Sequence, residues 1–263
     1  MWAWSLPLSV WLRVAKVKLR YALSLIVAVF VGSVIVNAPA GLLVGPMAEQ
    51  HVYLEGVSGS VWRGKAQNLS ARANGEVITW GQVEWHLSPL SVLSLSPSLA
   101  FASELGGQWM QAKVTLDSLE SIQLANLQGR VPAAIVRLFA PLSVDGAFEF
   151  NFPNLQWSQS LGVLALNGSL RWVDAVWQTQ TDRVLLGTYE LALNSKGQDI
   201  VGLVTTVKGA VQATGELRAK EQNYTVDLLI EPDGPADQRL RQNLSLIAQP
   251  EGNGLRIKLS GQY

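Results

Sequence analysis

From about His51 to the C-terminus, apolar residues recur at every second position in short runs, and Gly, Asn-Gly or Pro interrupts nearly every run. A period of two sends alternate side chains to opposite faces of an extended backbone, so each run can bury one face and wet the other. In the run 77–87, Val83, Trp85 and Leu87 share one face while Gln82, Glu84 and His86 share the other. The runs 147–152, 164–172 and 255–260 alternate in the same way. Gly59 and Gly81, Gly146 and Gly168, and Gly187 and Gly209 each stand 22 residues apart. That is about the length of a hairpin of two eight-residue strands with their turns. The predicted fold is therefore mainly β, an elongated, antiparallel, repeat-like sheet, with a closed barrel as the competing arrangement. Helix signals are few. The stretch 132–139, opened by Pro132 and stopped by Pro141, reads as two helical turns, and the polar stretch 233–243 reads as a loop or short helix.

Charge is distributed unevenly. Arg13, Lys16, Lys18 and Arg20 are the only charges before Glu49, and every acidic residue lies at or beyond Glu49. Between them runs an uncharged, largely apolar stretch from Tyr21 to Ala48. A helix of roughly 20 apolar residues crosses a bilayer, and Leu19 to Ala38 suits that length. Bases just ahead of such a span keep the N-terminus cytoplasmic. Trp2, Trp4 and Trp11 add indoles suited to the membrane interface. The expected layout is a cytoplasmic tail (1–20), a transmembrane helix and juxtamembrane segment (21–44) and a β-rich domain (45–263). That domain divides into candidate halves at 45–130 and 141–263. Ala38-Pro39-Ala40 also resembles a signal-peptide cleavage site. The long stretch before Arg13 favours the uncleaved anchor, and both readings put the β-rich part on the same side of the membrane.

Chemistry is hard to find. Lys plus Arg equals Asp plus Glu at 20 each, so no net field favours nucleic acid. Cysteine is absent, which excludes disulfides and thiolate metal sites. His51 and His86 form no pairing motif, and no nucleophile elbow, phosphate loop or His-Glu-x-x-His pair occurs. No catalytic, cofactor-binding or metal-ligating residue is predicted, and the chain reads as non-enzymatic. The tryptophans beyond residue 60 are expected to fill the core of a thin sheet, with a lipid- or protein-binding groove as the alternative.

The sharpest motif is Gly56-Val57-Ser58-Gly59-Ser60-Val61-Trp62-Arg63-Gly64-Lys65-Ala66, followed by Val83-Glu84-Trp85-His86-Leu87-Ser88-Pro89-Leu90. Together with the N-terminal apolar stretch, these residues resemble the protein N family of the bacterial type II secretion system. The resemblance implies a bitopic inner-membrane subunit with a periplasmic domain, which assists export of folded proteins alongside other secretion subunits. It carries no catalytic residues. The sheet pattern is also similar to AsmA-like envelope proteins, which would make lipid the partner and lipid transfer the role. Val57, Gly59, Val61, Trp62, Gly64, Trp85 and Pro89 are the motif residues expected to serve structure or partner contact. Gly59 and Gly64 would set backbone geometry. A buried Trp62 would anchor the first strand, its truncation to Ala costing about 3–5 kcal/mol.

Overall fold

A computed structural model describes residues 25, 29–30 and 32–262, apart from 74, 119, 139–142, 161, 179–182, 198, 221–222 and 233–247. The expectation of a β-rich chain holds: the described residues form one large antiparallel sheet. Its first strands are β1 (Val52–Glu55), the two-residue β2 (Ser58–Gly59), β3 (Arg63–Ala73), β4 (Glu76–Leu87), β5 (Ser98–Leu105), β6 (Gln108–Ser118) and β7 (Ser121–Pro132). The middle strands are the longest, β8 (Val144–Ser158) and β9 (Gly162–Gln178), followed by β10 (Arg183–Lys196) and β11 (Asp199–Lys208). The sheet ends with β12 (Val211–Lys220), β13 (Asn223–Pro232), β14 (Ala248–Glu251) and β15 (Gly254–Gln262). Neighbours in sequence pair in space from β3 to β13. The path ends at β15 and then β14, while β2 pairs with β3 beside β1. β1 and β14 stand at opposite ends of this path, so the strand order is that of an open sheet. Both end strands are four residues long, and short edges limit unwanted pairing with other chains.

The helical signal at 132–139 appears as a 3-10 turn over Ala133–Leu138. The sheet runs past it unbroken, because β7 and β8 pair from Ser121↔Ser158 to Pro132↔Ala147. The stretch 233–243 lies outside the described residues. So do residues 19–24, 26–28 and 31 of the predicted membrane span, and no helix among the described residues is long and apolar enough to cross a membrane.

The alternation places the predicted faces. Val83 is buried and Trp85 and Leu87 are half-buried, while Gln82, Glu84 and His86 are exposed. The core is made of small and medium side chains, with Ala66, Ala133 and Ala175 fully buried. No large side chain among the described residues is fully buried. Two clusters result. Leu54, Ala66 and Val83 form the N-terminal one, against which Val57, Leu69 and Trp85 pack. Val184, Leu186, Val211, Leu255 and Ile257 are central to the C-terminal one, with Trp172, Trp177 and Tyr189 against it. The expectation that indoles fill the core therefore holds in part. Trp109 and Trp157 remain 41% and 38% exposed, because a single sheet offers no second layer to cover them.

Tyr189 of β10 reaches over β11, and its hydroxyl donates to Val211 O of β12 at 2.8 Å. Gly187 and Gly209 permit the close approach at that end of the β10–β11 pair. A Cβ on Gly209 would lie 2.6 Å from Gly187 Cα and 2.5 Å from Leu186 O. The other glycines of the 22-residue spacing meet different neighbours, Gly146 lying on Val173 and Asp174, and Gly168 on Asn151 and Phe152. The spacing therefore does not mark one repeated contact. Strand length explains why: β8 and β9 have 15 and 17 residues, β11 and β12 only 10 each.

Burial pushes the Tyr189 phenol up to about 12. The unfolded chain then loses the phenolic proton first, from about pH 10. This residue's contribution should be fully present below that pH and decline as the pH rises through about 12. Denaturant titrations across that range should show a shallower alkaline decline for Tyr189→Phe than for the native chain. Equal slopes would contradict the assignment.

The polar face carries a charge ladder in strand register, with Arg130 opposite Glu149, Glu149 opposite Arg171 and Arg171 opposite Glu190. Arg130 pairs with Glu149, and Arg171 Nη2 lies 2.6 Å from Glu190 Oε2. These pairs are solvent-exposed, so each contributes no more than about 1 kcal/mol. The ladder fixes register more than it adds stability.

Candidate functional site

Six of the seven motif residues converge on one hairpin. β2 and the start of β3 pair through Ser58↔Lys65 and Gly59↔Gly64. Ser60 N donates to Arg63 O at 2.8 Å, and Arg63 N donates to Ser60 Oγ at 3.1 Å. Val61 and Trp62 are thereby left as a two-residue tip. Gly59 takes φ +90, where a Cβ would lie 2.5 Å from Arg63 O. Only glycine adopts such a turn without strain.

Gly64 has a different reason. It stands opposite Trp85, whose indole lies against it so closely that a Cβ would fall inside the ring's van der Waals envelope and 2.9 Å from Ser60 O. In that position Trp85 Nε1 donates to Val61 O at 3.1 Å, which holds the tip from beneath. Val57 packs on the Leu54, Ala66 and Val83 cluster and fixes the strand entering the hairpin. On the outer face, Arg63 Nε donates to His86 Nδ1 at 2.8 Å. That bond needs an unprotonated Nδ1.

The tip docks on the chain's own N-terminal helical segment. Residues 32–36 are helical, and a helix ends with carbonyls that lack intrahelical donors. Trp62 Nε1 donates to Ile35 O at 2.8 Å, a carbonyl that also accepts from Ala38 N at 3.2 Å. Val61 N donates to Ala38 O at 2.9 Å, and Pro39 and Ser60 form an isolated bridge. The same tip is tied to the sheet, since Leu87 N donates to Trp62 O at 2.7 Å. The motif therefore joins the end of the helix to the first strands of the sheet. Trp62 is half-buried, short of the burial expected, so the 3–5 kcal/mol attached to a fully buried indole is too large for it.

Pro89 stands apart from this cluster. It is exposed, and it is the first residue of the short helix Pro89–Leu93, where its missing N–H costs nothing. Ile35 and Ala38, the acceptors of the joint, are absent from the predicted site. No periodicity links residue 62 to residue 35. The only hint in the sequence is an indole at a turn, where its N–H needs an acceptor.

Trp62→Phe keeps most of the ring and removes the donor. It should cost about 1 kcal/mol in urea titrations of the full chain. A change near zero would mean that the bond to Ile35 O adds nothing to the joint.

Among the described residues, no group of three His, Asp or Glu side chains is placed to hold a metal ion. What the fold and this site define is a single-sheet β protein carried on an N-terminal helical segment, with a conformationally specific hairpin as the joint. The sequence model described as "Type II secretion system (T2SS), protein N" matches residues 50–258, and the chain belongs to that family. It is 29% identical over 246 residues to Type II secretion system protein N of Aeromonas hydrophila, covering 88% of this chain and 93% of that one. The corresponding Vibrio cholerae serotype O1 protein is 24% identical over 240 residues, covering 86% and 91%. No solved structure matches the chain.

Proposed function

We propose that the chain is a non-enzymatic, inner-membrane-anchored subunit of a type II secretion system. Its sheet stands in the periplasm and contacts other secretion subunits during export of folded proteins. The family match over residues 50–258 carries this reading. The two relatives bear the secretion name, which favours it over the AsmA-like, lipid-transfer alternative.

The anchor is supported by the described part of the N-terminal helix. Val29, Phe30, Val34, Ile35 and Val36 are each at least 51% exposed. Successive helical residues turn through about 100°, so these side chains point all round the axis. A helix apolar on every side belongs in a core or a bilayer, and here no core surrounds it. The basic residues Arg13 to Arg20 ahead of it fit a cytoplasmic N-terminus. Cytoplasmic residues 1–20, a membrane segment within 21–44 and a periplasmic 45–263 follow as the domain layout.

Two measurements test the reading. Reporter fusions after residue 60 should be active only as periplasmic reporters, and cytoplasmic activity contradicts the topology. Capture of the full chain in mild detergent from secreting cells should bring down other secretion subunits. Capture of the chain alone contradicts the role.

A further inference from the structure

We propose that the β4–β5 connection is a second membrane contact, in which Leu90, Leu93 and Leu95 enter the headgroup region of an anionic bilayer beside the helix. The inference rests on the anchored reading above and adds to it a surface of the sheet itself.

The three leucines are 77%, 80% and 87% exposed, among the most exposed large apolar side chains of the described residues. No charged residue stands between His86 and Glu104. Leu95 adopts φ +60, a conformation strained for a bulky residue, and strained residues of this kind cluster at binding and switch positions.

The loop's serines bond back to the chain itself. Ser91 Oγ donates to Ser88 O at 2.7 Å and accepts from Ser98 N at 2.8 Å. Ser94 Oγ donates to Ser91 O at 2.9 Å, and Ser96 Oγ to Leu116 O at 3.1 Å. The amides of Ser94, Leu95 and Ser96 are bonded to carbonyls of the same loop. A segment that enters a medium poor in water must satisfy its own donors in this way, whereas a loop bathed in water need not.

Position supplies the occupant. The loop begins one residue after Leu87, whose amide is bonded to Trp62 O, and the Trp62 indole is bonded to Ile35 O at the helix end. The leucines therefore lie at the end of the sheet where the apolar helix joins it. Just behind them, Arg63, His86 and Lys113 fall in one cross-strand row, Arg63 opposite His86 and Ala100 linking His86 to Lys113. Arg63 and Lys113 are exposed. Leucines at a tip with bases behind them match acyl chains capped by anionic headgroups. Asp117 and Glu120, exposed at the next turn of the sheet, mark where the patch ends.

The chain has no cysteine, so single substitutions report cleanly. Full-length Leu93→Cys, Leu90→Cys, Phe30→Cys and Leu185→Cys chains would each carry an environment-sensitive fluorophore. They would be reconstituted in vesicles of phosphatidylethanolamine and phosphatidylglycerol. Labels at positions 90, 93 and 30 should be quenched several-fold more by nitroxide-bearing lipid than by aqueous iodide. Position 185, an exposed leucine of β10, should show the reverse. Iodide quenching at 90 and 93 with lipid quenching at 30 overturns the proposal and leaves the anchor standing. Shielding from both quenchers at 90 and 93 overturns the lipid occupant in favour of protein contact. Iodide quenching at 30 as well removes the anchored reading, and this proposal with it.

Discussion

Gly64→Ala should lower the stability of the chain by about 2–4 kcal/mol, although it adds one methyl group to a half-buried position. The new Cβ occupies space held by the Trp85 indole and also approaches Ser60 O at 2.9 Å. Overpacking of this kind costs about 1–3 kcal/mol. Moving the ring also breaks its bond to Val61 O, which adds about 1 kcal/mol. The effect should depend on Trp85: in a Trp85→Ala background, Gly64→Ala should cost much less. Urea titration of the four chains gives the coupling directly. Additive costs would mean that the close approach of ring and glycine does not govern the hairpin.

Leu186→Asp should damage the fold at least as much as Gly64→Ala, with Leu185→Asp as its silent neighbour. Leu186 is 8% exposed within the C-terminal cluster, and Leu185 is 71% exposed on the opposite face. A carboxylate at 186 has no cation in that cluster, so the chain loses the leucine's burial and must also desolvate or protonate an acid. About 4 kcal/mol or more is expected, against about 0.5 kcal/mol or less at 185. Comparable losses at both positions would mean that the alternation along β10 does not separate a buried face from a wet one.

Much of the sheet is legible in the sequence because burial on one face leaves a period-two record. Val83 and Glu84, or Leu255, Arg256 and Ile257, sort to inside and outside as the pattern requires. Legibility falls where the physics is no longer local. Leu259 continues the apolar face of β15 yet is 45% exposed, because it lies beyond the C-terminal cluster. The long β8 and β9 cannot be told from pairs of shorter strands, since an apolar alternation with an Asn or Gly in it reads like a turn. Gly168 is such a case, since it lies within β9. The motif is legible as a motif, and its glycines as backbone positions. Its partner is not. Trp62 meets Ile35 across 27 residues, a contact set by how the hairpin folds back on the helix end. No local pattern encodes such a contact. The leucines at 90, 93 and 95 are visible in the sequence only as an uncharged stretch. What singles them out is exposure combined with serines bonded back to the chain, and both are properties of the folded loop.

The secretion role itself is tested most directly by export. In a host with a working type II system, the gene for this chain would be deleted and a normally exported enzyme assayed in medium and periplasm. The account predicts that the enzyme disappears from the medium and accumulates, folded and active, in the periplasm. The full chain should restore export, and the Gly64→Ala chain should restore it less. Undiminished export from the deletion strain would contradict the assignment of this chain to the secretion machine.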